Sequence, residues 1–215
     1  RDVARQISHE IKNPLTPIQL SLYRLRQTMP PAWSEENDVK DAFRMLDEEL
    51  ASLRRLADEF SQFARLPEPD KRLENLGDIA RHSISLFQAE HPHIRITGHL
   101  DASLPPLAVD REQIRRALHN LLKNALEASR QNGTIDVWVE RAGEESFAAI
   151  IKVVDHGMGM TEETLAQALQ PHFTTKRQGS GLGLCIVHKI ITDHGGTLQL
   201  ASAVQRGTTV TIKLP

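Results

Sequence analysis

Apolar residues recur at alternating steps of four and three through the first 65 positions of the chain. This spacing predicts two long helices, each with an apolar stripe along one side, separated by Pro30-Pro31. Either Ser34 or Asn37 can cap the second helix. The stripes contain Ile11, Leu15, Ile18, Leu22 and Leu25 in the first helix and Val39, Phe43, Leu46, Leu50, Leu53 and Phe60 in the second.

Two helices with stripes of this width cannot bury them against each other alone. A four-helix bundle formed by two chains is the simplest arrangement that covers the stripes, so the pattern favours a homodimer. The alternative is a single helical hairpin whose remaining apolar surface packs on the rest of the same chain.

The pattern changes after a proline-stiffened linker at residues 66–70. Helices and strands then alternate, and the last two strands form a hairpin across Gln205-Arg206-Gly207. This order predicts an α/β sandwich with helices over one face of a mixed sheet, and an α+β chain of two domains, residues 1–66 and 67–215. The predicted helices are 76–88, 110–130 and 181–193, and the predicted strands are 94–97, 134–140, 148–154, 197–202 and 208–214.

Composition excludes several classes of protein. The formal net charge of −2 over 215 residues gives no general attraction to nucleic acid or to an anionic membrane. The single cysteine, Cys185, excludes an intramolecular disulfide and fits a reducing compartment. No apolar run approaches the ~20 residues of a membrane-spanning helix. Because Arg1 already lies inside a helical pattern, we expect a fragment, with membrane attachment only through an upstream region.

A histidine, an acid and an amide come together early in the first helix, at His9, Glu10 and Asn13. Because Ile11 and Leu15 lie in the apolar stripe, His9 falls just outside it, where solvent can reach the ring. Glu10 can hold the proton on one ring nitrogen, which leaves the other nitrogen free to attack an electrophile. Asn13 shares the face of His9. The alternative is a solvated histidine beside an unrelated acid.

Two amides and a lysine lie on the predicted helix 110–130, at Asn120, Lys123 and Asn124. The two asparagines are one turn apart and share a face. Amide oxygens can bind Mg²⁺, and the lysine can reach a phosphate group. The alternative is the ordinary polar face of an amphipathic helix.

An acid and two spaced glycines follow the predicted strand 148–154, in the order Asp155-His156-Gly157-Met158-Gly159. The carboxylate can accept a hydrogen bond from an adenine amino group, and the glycines let the backbone approach a flat ligand. The alternative is a tight turn with a capping aspartate. A polar loop then leads into the glycine-rich run 179–184 and a helix, whose first N–H groups can bind phosphate.

These segments, in this order, resemble the sequence boxes of the bacterial sensor histidine kinases. Residues 9–14 resemble the phosphoacceptor box and residues 120–125 the N box. Residues 155–159 resemble the first glycine box, residues 173–176 the F box, and residues 179–184 the second glycine box. The resemblance covers nearly the whole chain, and five boxes in order outweigh the alternative interpretation of each one.

The resemblance implies a different function for each of the two domains. Residues 1–66 would form the dimerisation and histidine phosphotransfer domain, and residues 67–215 a catalytic ATP-binding domain of the Bergerat fold. His9 would be the phosphorylated nucleophile and Glu10 its general base. Asn13 would position water when a partner regulator is dephosphorylated. Within the family, residues 12–20 are similar to the NtrY-type nitrogen-regulation sensors.

ATP and Mg²⁺ are the implied cofactors. Asn124 would bind Mg²⁺, with Asn120 and Lys123 near the phosphates, and Asp155 would recognise adenine. Gly157 and Gly159 would make room for the base, while Gly181 and Gly183 shape a lid. The other implied nucleotide contacts are Thr174, Thr175, Lys176, Gly179, Leu182 and Leu184.

The implied partners are a second copy of the chain and the receiver domain of a response regulator, with no nucleic acid. The implied location is the cytoplasm, or the cytoplasmic part of an inner-membrane sensor.

Three other functions stay open. One is a homologue that works chiefly as a phosphatase. Another is a Bergerat ATPase without a phosphohistidine, although such relatives lack a helix like residues 1–29. The third is a scaffold that has lost catalysis, against which Asn124 and Asp155 argue.

Overall fold

The computed structural model describes residues 2–30, 33, 37–64, 66–129, 133–170, 173–175 and 181–215. Side chains are described from Pro14 onward, apart from positions 55, 56 and 58–64. The described residues form two compact units. One contains the residues up to 67 together with 181 and 182, and the other contains residues 68–175 and 183–215.

The first unit is a pair of long helices, α1 (Asp2–Thr28) and α2 (Asn37–Ala64), which pack against each other. Their contact buries Leu15, Phe43, Leu50 and Ala57, and the first three of these belong to the predicted stripes. Polar contacts flank it: Arg26 lies 3.3 Å from the Asp47 carboxylate and 4.9 Å from the centre of the Phe43 ring. Four other residues of the predicted stripes are exposed, namely Ile18, Leu25, Leu46 and Leu53.

The second unit is an α/β sandwich built on a five-stranded mixed sheet in the order β2-β4-β5-β7-β6. Strands β2 and β4 are parallel and the other neighbouring pairs are antiparallel. The strands are β2 (Arg95–Leu100), β4 (Thr134–Arg141), β5 (Ala149–Asp155), β6 (Thr197–Ala203) and β7 (Gly207–Leu214). A separate antiparallel pair joins β1 (Arg72–Glu74) to β3 (Leu107–Val109).

Helices cover one face of the sheet. They are α3 (Leu76–Glu90), α4 (Arg111–Ala128), the short α5 (Glu162–Gln167) and α6 (Gly183–Asp193). Strand β4 shows the division between faces: Ile135, Val137 and Val139 are buried, while Trp138 between them is exposed. The helices contribute a mostly aliphatic core in which Leu118, Leu121 and Leu122 of α4 and Ile190 and Ile191 of α6 are almost fully buried.

Side-chain caps fix where the helices of this unit begin. The Asn75 amide oxygen accepts a hydrogen bond from Asp78 N at the start of α3. Asp110 Oδ1 accepts from the backbone N–H groups of both Glu112 and Gln113 at the start of α4. These two caps set the first turns of the helices that lie over the sheet.

The structure confirms the predicted α+β class and the α/β sandwich, and it corrects several details. The helix predicted from residue 181 begins at Gly183, and Asn37 lies within the first turn of α2 rather than before it. Ser34 lies outside the described residues. Strands β1 and β3 and helix α5 were not predicted, because each strand has three residues and α5 buries none of its side chains. No described helix is long and apolar enough to cross a membrane.

Candidate functional site

The two asparagines of α4 face the first residue of α6. A Cβ added to Gly183 would lie 3.4 Å from Asn120 Oδ1 and 3.7 Å from Asn124 Nδ2. The Asn120 amide nitrogen donates to the Arg116 carbonyl oxygen one turn back, at 2.9 Å. The Asn120 oxygen is therefore the atom presented toward Gly183. The structure brings together these three predicted residues, all of which are half-buried.

Two cationic residues lie close to this amide pair along α4. Lys123 is exposed, as expected of a side chain that reaches out to a ligand. Arg116 was not singled out from the sequence, yet it lies one turn before Asn120 and is half-buried. Loss of hydration lowers the pKa of its guanidinium, which nevertheless stays charged at neutral pH. The spacing of residues 116, 120 and 124 was the available signal for it.

Asp155 ends strand β5 in the interior of the second unit, at 6% exposure. Its Oδ1 accepts hydrogen bonds from Gly157 N at 2.9 Å and from Thr208 N at 3.3 Å. The first of these contacts holds the turn after β5, and the second joins β5 to the start of β7. A buried carboxylate held in one orientation by backbone donors is suited to recognise a specific hydrogen-bond donor.

The glycines after Asp155 are needed first for packing within the protein. A Cβ on Gly157 would lie 2.2 Å from the carbonyl oxygen of Ala128, at the end of α4. Gly159 has φ of +63°, and a Cβ there would lie 1.9 Å from the Ala203 carbonyl oxygen. Met158 N also donates to Ala128 O. Their role in making room for adenine stays a prediction, beside this visible reason for glycine.

A hydroxyl pair fixes the same turn to the β6–β7 hairpin, and the sequence did not reveal it. Ser202 Oγ donates to the Gly207 carbonyl oxygen and accepts from Met160 N, both at 2.9 Å. The single O–H of Ser202 is used in its hydrogen bond to Gly207, so the buried Thr208 hydroxyl is the donor in the 2.9 Å contact between the two hydroxyls. Ser202 is 47 positions and Thr208 is 53 positions from Asp155 along the chain. The pairing of β5 with β7 brings Thr208 beside Asp155.

The predicted polar loop is described in part. Thr174 and Thr175 are exposed and belong to no regular element. Gly181 has φ of +70°, a conformation that favours glycine, and Leu182 is buried. Leu184 is half-buried in the first turn of α6. Lys176 and Gly179 lie outside the described residues.

The histidine segment lies in the first half of α1, which runs without interruption through Pro14 and Pro17. The side chains of His9, Glu10 and Asn13 lie outside the described part of the structure. Their placement on a helix is confirmed, whereas the geometry of the ring, the acid and the amide stays a prediction.

The donor set around Asn120 and Asn124 fits Mg²⁺ better than a transition metal. Among the described residues, no group of three or more His, Cys, Asp or Glu side chains is arranged to hold a metal ion. Magnesium takes oxygen ligands, keeps several waters and is commonly shared with substrate phosphates. One or two amide oxygens are therefore a sufficient protein contribution.

Two family models match the chain. Residues 1–69 match the His Kinase A (phospho-acceptor) domain, and residues 109–215 match the histidine kinase-, DNA gyrase B-, and HSP90-like ATPase. The second match implies that the α/β unit uses ATP. The two matches assign the histidine segment and the asparagine–glycine site to the two parts of one kinase core.

Named relatives agree with these matches. The chain is 36% identical to the nitrogen regulation protein NtrY of Azorhizobium caulinodans, with 99% of this chain and 28% of that protein covered. It is 32% identical to the sensor histidine kinase ZraS of Escherichia coli, with 99% and 45% covered. The chain thus spans less than half the length of these curated relatives.

Solved structures show the same fold. The catalytic domain of histidine kinase ThkA is 30% identical and has a TM-score of 0.61, over 68% of this chain and 95% of that one. Full-length ShkA in complex with AMPPNP has a TM-score of 0.72 at 21% identity, over 100% and 45%. The chain belongs to the bacterial sensor histidine kinases, and within that family it is NtrY-like.

Proposed function

We propose that this chain is an ATP-dependent protein-histidine autokinase that phosphorylates His9 and passes the phosphoryl group to an aspartate of a response regulator. The observation that carries the proposal is the approach of the Gly183 backbone to Asn120 and Asn124, since a Cβ on Gly183 would reach both amides. A helix start beside two side-chain amides suits a nucleotide phosphate and its counterion.

The proposed reaction is an in-line phosphoryl transfer. One ring nitrogen of His9 attacks the γ-phosphorus of ATP, the bond from that phosphorus to the bridging oxygen breaks, and ADP leaves. Glu10 holds the proton on the other ring nitrogen, so that the attacking nitrogen keeps its lone pair. Asn13 orients a water molecule when the phosphoryl group is removed from the regulator. The enzyme contributes chiefly position and charge.

The geometry of the second unit supports the nucleotide roles proposed for Asp155, Asn120 and Asn124. Asp155 accepts a hydrogen bond from the adenine amino group. Asn124 would hold Mg²⁺, which would offset charge on the phosphates, and the Asn120 oxygen faces Gly183 beside it. Lys123 reaches the phosphates as a point charge. The remaining proposed contacts rest on the family resemblance: Thr174, Thr175, Lys176, Gly179, Gly181, Leu182 and Leu184.

The proposed assembly is a homodimer through α1 and α2. Ile18 and Leu46 are each close to half exposed in the single chain, in positions where the heptad pattern places contact residues. Residues 1–66 would then serve dimerisation and phosphotransfer, and residues 67–215 would bind ATP.

The proposed partner and location come from the family. The kinase ThkA, known in complex with the response regulator TrrA, shares the fold at 24% identity and a TM-score of 0.70. We expect a partner of the same class here because the chain is a histidine kinase. A cytoplasmic location supplies ATP and keeps Cys185 reduced, whether or not the complete protein is anchored in the inner membrane.

The experiment uses the purified 215-residue chain, radiolabelled ATP and Mg²⁺. We expect label that is lost in acid, as for a phosphohistidine, and that passes to a receiver domain on mixing. His9→Gln should abolish the label while nucleotide binding by calorimetry is unchanged. His82→Gln, at an exposed histidine of α3, is the matched control and should label normally.

The outcomes separate the rival functions. Persistent labelling of the His9→Gln variant would contradict the assignment of the nucleophile. Release of phosphate from ATP with no labelled protein would favour a Bergerat ATPase. A wild-type chain that binds no ATP with Mg²⁺ would favour a scaffold that has lost catalysis.

A further inference from the structure

Helices α4 and α6 pack against each other in antiparallel orientation, with polar residues at both ends of their contact. At one end, Gly183 opens α6 beside Asn120 and Asn124 in the second half of α4. At the other end, His194 follows α6 and contacts Asp110, the residue that caps α4. Buried aliphatic side chains occupy the region between these ends.

His194 is held in a single tautomer. It is 3% exposed, and its Nδ1 lies 2.8 Å from the carbonyl oxygen of Ile190, which can only accept a hydrogen bond. Nδ1 therefore carries the proton, and Nε2 has a free lone pair. Asp110 N donates to that lone pair at 2.9 Å. The imidazole thus connects the last turn of α6 to the first turn of α4.

The distances along the two helices match. At a rise of ~1.5 Å per residue, Asn120 lies roughly 15 Å from Asp110 along α4, and Asn124 roughly 21 Å. His194 lies roughly 16 Å from Gly183 along α6. A contact at the Asp110 end therefore fixes the position of Gly183 at the asparagine end, because a helix transmits an axial shift along its length.

We propose that the Asp110–His194 hydrogen bond sets the register of α6 along α4, which makes His194 a positioning residue for the phosphate end of the nucleotide site. Apolar packing between the helices is non-directional, whereas this bond has one donor and one acceptor in fixed places. The inference rests on the proposed nucleotide role of Asn120, Asn124 and Gly183.

Two substitutions at His194 separate its two hydrogen bonds. His194→Asn keeps a donor near the Nδ1 position for Ile190 O and removes the acceptor for Asp110 N. His194→Gln places an amide oxygen near the Nε2 position and keeps that acceptor. Val137→Ala, at a fully buried residue of β4, is a control for general loss of stability.

The measurement is the affinity of the full chain for ATP with Mg²⁺ by calorimetry, at a temperature where circular dichroism shows each variant folded. We expect His194→Asn to lose about tenfold in affinity, since a buried N–H is left without its acceptor. His194→Gln should stay within about twofold of wild type. Val137→Ala should bind as wild type despite its lower melting temperature.

Wild-type affinity in a folded His194→Asn variant would overturn the proposal, and so would equal losses in the Asn and Gln variants. If His194→Asn does not fold, weakened binding by a folded His194→Gln variant overturns the proposal, because that variant keeps the acceptor for Asp110 N. A wild-type chain that binds no ATP contradicts the proposed function instead, so the two failures are distinguishable.

Discussion

Asp155 combines a structural and a proposed chemical role in one carboxylate. Its Oδ1 accepts from Gly157 N and Thr208 N, which holds the turn after β5 and the start of β7 together. The sequence predicted an acid at the end of a buried strand, and the structure confirms that position. The two backbone donors could not be predicted, because Thr208 N belongs to a strand whose pairing partner is unknown from the sequence.

Asp155→Asn should separate those two roles. An asparagine oxygen can still accept from both backbone groups, so we expect the melting temperature to change by only a few degrees. The second oxygen becomes an amide that donates, which opposes an adenine amino group. ATP affinity by calorimetry should therefore fall at least tenfold. Unchanged affinity for ATP would contradict the adenine assignment.

His194 should make the stability of the chain depend on pH. Burial lowers the pKa of this imidazole below its ordinary value of 6.5, and nearby Lys71 acts in the same direction, while hydrogen bonding to Ile190 and the charges of Asp110 and Asp193 oppose the shift. Below pH 6.5 the unfolded chain gains a proton that the folded chain resists. The free energy of unfolding should therefore be fully retained above that pH and fall as the pH drops.

Urea unfolding at pH 7.5 and pH 5.5 measures this effect. Carboxylates also titrate in acid, so the useful quantity is the difference between wild type and His194→Gln, whose amide does not titrate. We expect the wild type to lose more stability than the variant between the two pH values. Equal losses would show that the imidazole at position 194 does not contribute.

At the scale of elements, the helical hairpin uses its heptad pattern in two different ways. Leu15, Phe43 and Leu50 are buried within the chain, whereas Ile18 and Leu46 are exposed at 45% and 46%. The alternating spacing predicted both sets as contact residues. It could not show which set is buried within one hairpin, because that depends on how the two helices are rotated about their axes.

The exposed set should control dimerisation. We expect Leu25→Gln and Leu46→Gln each to weaken the dimer about tenfold or more, since each replaces an aliphatic side chain that dimerisation would bury. Leu20→Gln changes a similarly exposed leucine outside the heptad stripe and should leave the dimer intact. Sedimentation equilibrium over a range of concentrations measures the effect. A monomeric wild type would contradict the four-helix bundle.

The elements that the sequence did not predict are short or leave no apolar pattern. Helix α5 has a capping threonine but buries no side chain, so it leaves no apolar periodicity to detect. Strands β1 and β3 have three residues each, too few for alternation to stand out. By contrast, α4 buries seven side chains on one face and was predicted to within two residues at its C-terminal end.

At the scale of the whole molecule, local apolar patterns predicted most helices and strands, whereas long-range pairing determined the order of the strands in the sheet. The sequence predicted strands near β2, β4, β5, β6 and β7, but it did not predict that β2 lies parallel to β4 at the edge of the sheet. The Asp110–His194 contact joins residues 84 positions apart. Its donor is a backbone N–H, which does not depend on the residue type, so the sequence alone does not reveal the contact. Side-chain chemistry was predictable, and backbone partners were not.

Residues 70–74, at the end of the linker and directly after it, belong to the second unit. Asp70 N donates to the second oxygen of the Asp110 carboxylate, β1 pairs with β3, and Glu74 lies 2.9 Å from Arg111. The matched ATPase model begins only at residue 109. An ATP-binding unit that is expressed alone, or fused behind a different upstream domain, should therefore begin near residue 68. A cut at 109 would remove a helix, an edge strand and the partner of the α4 cap, leaving a truncated module with an open core.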